Sequence, residues 1–154
     1  MLRLSSIPVA VLVVALASTA LALDKKLVGK WTLDEIVSPR AVKPTEIQME
    51  LSLDGKNLVV HREVRREGEE PHIVDYVVET DGSEHELPAE PGQTRTVTAE
   101  WKSSKLQLTY TMNRRGMDLD AVETWRVRKG KLEVVYKVKT PEAQFGWKEI
   151  YRRR

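Results

Sequence analysis

Residues 106–112 read Leu-Gln-Leu-Thr-Tyr-Thr-Met, so every second side chain is apolar or aromatic. The same alternation occurs over residues 47–53 and, with Val135 as the exception, over residues 132–139. Successive side chains of a β-strand point to opposite faces, so this period of two predicts strands with one buried and one solvent-facing side. The fold class predicted from these stretches is all-β and antiparallel.

Short turn sequences separate the alternating runs. Asp54-Gly55 and Asp81-Gly82 are typical of two-residue hairpins, because glycine tolerates a positive φ. No convincing helical periodicity occurs, and segment 37–45, which contains two prolines, is predicted to be a loop. We therefore predict an up-and-down meander with strands near 28–36, 46–53, 57–66, 72–80, 83–87, 95–102, 105–112, 117–128, 131–140 and 145–153.

A meander of eight to ten strands with one continuous apolar face must close on itself or fold into two stacked layers. Closure removes the exposed strand edges, so an up-and-down barrel is the first expectation and a two-layer β-sandwich is the alternative. The polar faces of the strands carry Lys, Glu and Arg. Since lipid-facing positions of a membrane barrel are uncharged, the apolar face is expected to point inward, in a soluble barrel.

The first 22 residues have the pattern of a secretory signal peptide. Arg3 is the only charge, an apolar run extends from Ile7 to Ala17, and Ala20 and Ala22 form an Ala-x-Ala cleavage site. The apolar stretch is shorter than the ~20 residues that span a bilayer. We therefore expect cleavage before Leu23, a single domain over 23–154, and no stable membrane insertion after cleavage.

The amino-acid composition limits the possible cellular compartments and binding partners. The chain has 154 residues, 25 Lys and Arg, 23 Asp and Glu, and no Cys. A formal net charge of +2 argues against a nucleic-acid partner. Without cysteine there is no disulfide, thiol nucleophile or Cys-ligated metal. A secreted domain without disulfides fits a periplasm best, so the expected location is periplasmic or extracellular.

No recognisable catalytic or metal-binding pattern occurs in the sequence. The histidines, His61, His72 and His85, are isolated from one another and lack the spacing of metal ligands. There is no Gly-x-Ser-x-Gly motif and no Gly-rich phosphate loop. We therefore expect no metal, no cofactor and no enzyme activity.

The stretch Gly29-Lys30-Trp31, soon after the signal peptide, resembles the opening motif of the lipocalin and fatty-acid-binding (calycin) superfamily. Further along, Trp125, the stretch 129–132 (Lys-Gly-Lys-Leu), Thr140-Pro141 and Tyr151-Arg152 resemble the last two hairpins of small secreted bacterial lipocalin-like domains, most of unknown function. The resemblance covers residues 27–153 and implies a lipocalin-like barrel.

Two features depart from the fatty-acid-binding proteins. Those proteins insert a helix pair after the first strand, for which segment 37–45 is too short, and their last strand carries Arg-x-Tyr where this chain has Glu149-Ile150-Tyr151. The resemblance therefore supports the fold more than a fatty-acid ligand. It also implies that Trp31 closes the barrel base beneath an arginine from a late strand. Arg152 and Arg153 are the candidates, and Arg153 shares the inward parity of Tyr151.

Three charged residues lie in phase with apolar neighbours and are expected to point inward: Arg62, Glu123 and Glu149. A buried charge without a partner is costly, so they should pair with one another, with water or with a ligand. Arg62 suits the headgroup of an anionic amphiphile; the alternatives are an internal ion pair between Arg62 and a glutamate, or positions at the mouth of the barrel. The predicted ligand-binding residues are Arg62, Trp101, Tyr110, Glu123, Trp125, Tyr136, Trp147 and Glu149; the predicted structural motif is Gly29, Trp31 and Arg153.

Two functions follow from this barrel. The first is a secreted or periplasmic protein that holds a small hydrophobic or amphipathic molecule inside the barrel. The second is a packed barrel without a ligand, used as a structural or interaction module. The amount of interior volume separates them, and a sequence does not give that volume or the oligomeric state.

Overall fold

The computed structural model describes residues 25–40, 45–89 and 92–154. The signal peptide predicted over residues 1–22 and its cleavage site lie outside these ranges, so both stay predictions.

All ten predicted strands are present, and their ends differ from the predicted ends by at most two residues. The strands are β1 (Gly29–Val37), β2 (Glu46–Asp54), β3 (Asn57–Arg65), β4 (His72–Val78), β5 (Asp81–Pro88), β6 (Thr94–Lys102), β7 (Lys105–Arg114), β8 (Met117–Arg128), β9 (Lys131–Lys139) and β10 (Gln144–Arg153). In the described part of the chain, no helix is long and apolar enough to cross a membrane.

The strands form one antiparallel sheet that curls into a nearly closed barrel. Each strand pairs with its neighbours in sequence except β4 and β5, and the first strand pairs with the last, with Trp31 opposite Arg153. Only the slit between β4 and β5 interrupts the circle of ten strands. The predicted all-β up-and-down barrel is confirmed, and the two-layer sandwich is wrong.

The alternation of strand directions gives the barrel two distinct ends. We call the end with the turns at 55–56, 79–80, 103–104 and 129–130 the base, and the end with 66–71 and 140–143 the mouth. The N-terminal segment 25–28 lies at the base, because it leads directly into β1.

The base half of the interior is a packed apolar core. Leu58, Val78, Leu106 and Leu132, one near the base end of each of four strands, are fully buried, and Trp31 is 0% exposed. Each such side chain contributes roughly 1.5–3 kcal/mol of burial energy to the fold. The interior of the mouth half is less densely filled and contains the candidate site.

Candidate functional site

A cavity of about 680 Å³ opens inside the mouth half of the barrel. Residues of every strand except β7 line it within the described chain. This volume falls within the range of pockets that enclose drug-sized molecules. The structure therefore leaves usable space in the interior, which the sequence could not establish.

Aromatic and aliphatic side chains form much of the cavity wall. Tyr136 and Trp147 stack with their ring centroids 4.4 Å apart and their planes 12° from parallel. Trp125, Met49 and Val134 also line the cavity, and each is buried by its neighbours. A flat aromatic face beside aliphatic walls suits the apolar body of a ligand.

Glu123 on β8 has hydrogen-bond donors on both of its carboxylate oxygens. The indole N–H of Trp125 donates to Oε1 at 2.7 Å. The guanidinium of Arg95 and the hydroxyl of Tyr110 donate to Oε2 at 3.2 and 3.4 Å. Glu123 is only 2% exposed, so these contacts compensate a charge that would otherwise be costly to bury.

Glu149 on β10 is held by two tyrosines. The hydroxyl of Tyr151 donates to Oε2 at 2.6 Å and that of Tyr136 donates to the same oxygen at 3.3 Å. Glu149 is 8% exposed and lines the cavity. Its other oxygen, Oε1, receives no hydrogen bond from the residues that the structure describes.

Arg62 on β3 has no such partner. Its Nε is buried without a hydrogen-bond acceptor, and none of the ion pairs among the described residues includes it. Burial alone would lower the pKa of Arg62, but Tyr136, Tyr151 and Glu149 outweigh burial and the pKa lies above its ordinary value. Arg62 is therefore a permanent cation with donor capacity to spare, and the expected Arg62–glutamate pair does not form within the described chain.

The tyrosines of this region remain hydroxyl donors at neutral pH. Burial, followed by the charge of Glu123, raises the pKa of Tyr76 to about 12 and places that of Tyr136 well above its usual value. Burial and the charge of Glu149 raise the pKa of Tyr151 in the same way. The hydrogen bonds to Glu149 therefore persist across the physiological range.

Arg153 and Trp31 form a cap at the base, and neither of them lines the cavity. The guanidinium of Arg153 lies 4.4 Å from the centroid of the Trp31 ring and donates to the carbonyls of Val28 at 2.9 Å and Lys26 at 3.0 Å. The Trp31 indole donates to the Leu27 carbonyl at 2.8 Å. Gly29, with φ +140°, leaves the space that Arg153 occupies, because a Cβ there would lie 2.6 Å from its Nη1.

Two of the predicted ligand-binding residues do not line the cavity. Trp101 faces the base, where its indole donates to the carbonyl of Lys56 in the β2–β3 turn at 3.1 Å. The same carbonyl accepts the hydroxyl of Thr80. Tyr110 lies behind Arg95, with the guanidinium 4.0 Å from its ring centroid. The remaining six predicted residues, Arg62, Glu123, Trp125, Tyr136, Trp147 and Glu149, all line the cavity.

Sequence reasoning missed Arg95 and Tyr76, both of which line the cavity. Arg95 lies in phase with Val97 and Ala99, and Tyr76 lies in phase with Val74 and Val78. The parity that identified Arg62 applies equally to them. Arg95 is the second residue of β6 and follows shortly after Pro91-Gly92, so the start of the alternation is hard to locate there.

The described residues contain no cluster of three or more His, Asp or Glu side chains that could hold a metal ion. His61 lies on the outer face and contacts Asp75 through Nδ1 at 2.6 Å. Chemically, the cavity combines apolar walls with polar groups: among the described residues, Arg62 donates no side-chain hydrogen bond and Glu149 Oε1 accepts none. Such an arrangement can enclose a small molecule and orient its polar end.

No protein-family model matches the chain, and no curated protein matches it. Several solved structures are similar to the chain in their fold. A Schistosoma mansoni fatty acid binding protein in complex with arachidonic acid superposes with a TM-score of 0.64 and 16% identity, covering 85% of this chain and 98% of that one. Lipid binding protein 8 of Caenorhabditis elegans gives 0.62 and 12%, covering 84% and 96%.

A third similar structure is a secretory abundant heat soluble protein from Ramazzottius varieornatus, with a TM-score of 0.59 and 12% identity, covering 84% of this chain and 96% of that one. These similarities establish that the fold is a calycin-like β-barrel, as the resemblance of Gly29-Lys30-Trp31 implied. At such low identity they establish the fold alone.

Proposed function

We propose that this protein is a carrier that holds one small hydrophobic or amphipathic molecule inside its barrel. The observation that carries the proposal is the cavity of about 680 Å³ above a fully packed base. A packed structural module is not expected to combine that volume with an arginine whose side chain has no acceptor among the described residues. The fatty-acid and lipid-binding proteins with the same fold support the proposal.

The proposed carrier acts outside the cytoplasm, in a periplasm or the extracellular space. Support comes from residues 1–22, whose single positive charge, apolar run and Ala-x-Ala end are typical of a cleaved signal peptide. Expression of the full chain in a secreting host tests this, with the intact mass of the exported protein as readout. We expect a chain that begins at Leu23, and Ala20→Arg with Ala22→Arg should block the cleavage.

Ligand binding is tested in two measurements on the purified protein. Native mass spectrometry of freshly prepared protein should show one bound small molecule that denaturation releases. After removal of that molecule, an apolar fluorescent dye should bind saturably with 1:1 stoichiometry and change the emission of Trp125 and Trp147, which line the cavity.

Matched variants on β4 distinguish binding in the cavity from adhesion to the surface. Val74 lines the cavity, whereas Val77 points outward and is 43% exposed. Val74→Trp should fill the cavity and weaken dye binding at least about ten-fold, while Val77→Trp should leave it unchanged. Absence of any saturable binding across a broad lipid screen, with no bound molecule in the native spectrum, would contradict the carrier and favour the packed module.

A further inference from the structure

The charges inside the cavity cancel. Arg62, Arg95, Glu123 and Glu149 all line it, giving two cations and two carboxylates. At the mouth, the remaining charged pair of the lining, Arg66 and Glu69, is also of opposite sign and lies 3.5 Å apart. A ligand with a full charge would therefore leave the cavity charged, in surroundings that solvate charge poorly.

Arg95 and Glu123 compensate each other's charge through an ion pair, although the Nε of Arg95 is buried without an acceptor in the described chain. Arg95 Nη2 donates to Glu123 Oε2 at 3.2 Å, and its guanidinium covers the Tyr110 ring. Both oxygens of Glu123 already accept hydrogen bonds, because Trp125 occupies Oε1. Neither oxygen of Glu123 is therefore free of a hydrogen bond from the protein.

Arg62 and Glu149 have complementary hydrogen-bonding groups that the described residues do not use: donors on Arg62 and an acceptor on Glu149. No side-chain N–H of Arg62 donates to a described residue, and Glu149 has an Oε1 that accepts no hydrogen bond from them. Tyr136 and Tyr151, which donate to Glu149, act electrostatically on Arg62 as well, so the two charged groups share one neighbourhood. They nevertheless form no ion pair with each other.

We propose that the ligand carries an uncharged polar head with an acceptor and a donor side by side, as in a primary amide. The acceptor would bind a terminal N–H group of the Arg62 guanidinium, since the buried Nε is closed to the cavity, and the donor would bind the free oxygen of Glu149. A carboxylate head would place its charge against Glu149, and an ammonium head would place its charge against Arg62. This inference rests on the proposed carrier function and specifies the class of its ligand.

The test uses three amphiphiles with the same alkyl chain, dodecanamide, dodecanoic acid and dodecylamine, in competition with the apolar dye at neutral pH. The amide should bind the unaltered protein at least about ten-fold tighter than either charged analogue, a difference of about 1.4 kcal/mol. This comparison needs no variant, so it remains decisive even if substitutions in the cavity impair folding.

Two nearly isosteric substitutions should reverse the preference in opposite directions. Glu149→Gln removes the negative charge and should improve binding of the acid relative to the amide about ten-fold. Arg62→Met removes the positive charge and should improve binding of the amine instead. Arg65→Gln on the outer face of β3, where Arg65 pairs with Glu63, serves as the control and should leave all three affinities unchanged.

The outcomes separate this inference from the carrier function. If the acid binds tightest and Glu149→Gln does not alter its affinity, Arg62 binds an anionic head without help from Glu149. That result overturns the inference but not the proposed carrier function. The inference is also overturned if all three analogues bind with equal affinity and neither substitution changes those affinities, because the protein then does not recognise the polar head. Failure of every analogue and of the dye itself overturns the carrier proposal instead.

Discussion

The base and the mouth half of this barrel each place an arginine against aromatic rings, but only the arginine of the base finds acceptors among the described residues. Arg153 covers Trp31 and donates to two backbone carbonyls of segment 25–28. Arg62 lies among tyrosines with its Nε lacking any acceptor in the described chain. The same residue type thus completes the structure at one end and leaves it incomplete at the other.

This difference separates stability from recognition. Buried polar groups are almost always hydrogen-bonded in folded proteins, and an unpaired one costs roughly 1–3 kcal/mol. The base follows that rule and should carry the stability of the fold. The mouth half breaks it at the Nε atoms of Arg62 and Arg95, which are buried without an acceptor in the described chain.

The largest expected effect is a loss of stability at high pH, which originates in the tyrosines around the cavity. Burial raises the pKa of all four tyrosines of the chain, that of Tyr76 to about 12, above the ~10 of an unfolded chain. Above about pH 10 the unfolded state releases these protons and the folded state keeps them, so stability falls as pH rises. At about pH 11 each tyrosine should cost about 1.4 kcal/mol and the four together about 5 kcal/mol.

Urea denaturation at about pH 9 and pH 11 measures that loss. Ultraviolet absorbance provides the control, because phenolate absorbance of the folded protein should stay low until the chain unfolds. A phenolate signal that rises near pH 10 in the folded state would contradict the buried tyrosine cluster.

Trp31→Ala should produce the largest loss of stability at neutral pH. The side chain is 0% exposed and its indole donates to Leu27, so its removal leaves a cavity in the base and an unpaired carbonyl. We expect the free energy of unfolding to fall by about 3–5 kcal/mol in urea titrations. Trp101→Ala, which removes a partly exposed tryptophan, should cost less, and equal losses would argue against a special role of the cap.

Arg153→Met should cost an intermediate amount. It removes a guanidinium–indole contact and two hydrogen bonds to carbonyls, for an expected loss of about 1–2 kcal/mol in the free energy of unfolding. Dye affinity should not change, because the cavity lies in the other half of the barrel. Arg152→Met, at an exposed neighbouring position, is the control and should leave the melting temperature unaltered.

The smallest effect on stability is expected for Arg62→Leu. Since no carboxylate among the described residues forms an ion pair with Arg62, its replacement breaks no such pair, and an apolar side chain should change the free energy of unfolding by less than about 1 kcal/mol or increase it. A thermal melt of the empty protein measures this. A loss of several kcal/mol would reveal an internal ion pair and remove the contrast with Arg153.

Much of the fold was predictable because its strands have one wet and one dry face. Alternation located all ten strands and placed Arg62, Glu123 and Glu149 inside. The alternation shows whether a side chain points into or out of the barrel, but it does not give the position of that side chain along the barrel axis. Trp101 was therefore assigned to the ligand although it lies near the base, and the partner of Glu123 proved to be Arg95 on β6 rather than Arg62.

The slit between β4 and β5 leaves two strand edges whose backbone groups have no partner strand. Such edges invite association with a further β-strand, and proteins commonly protect them with charge. Asp75 on β4, Glu79 in the connecting turn, and Asp81, Glu84 and Glu86 on β5 are all exposed. Any second copy that approached edge to edge would bring the same five carboxylates against these, so electrostatic repulsion protects the slit from aggregation.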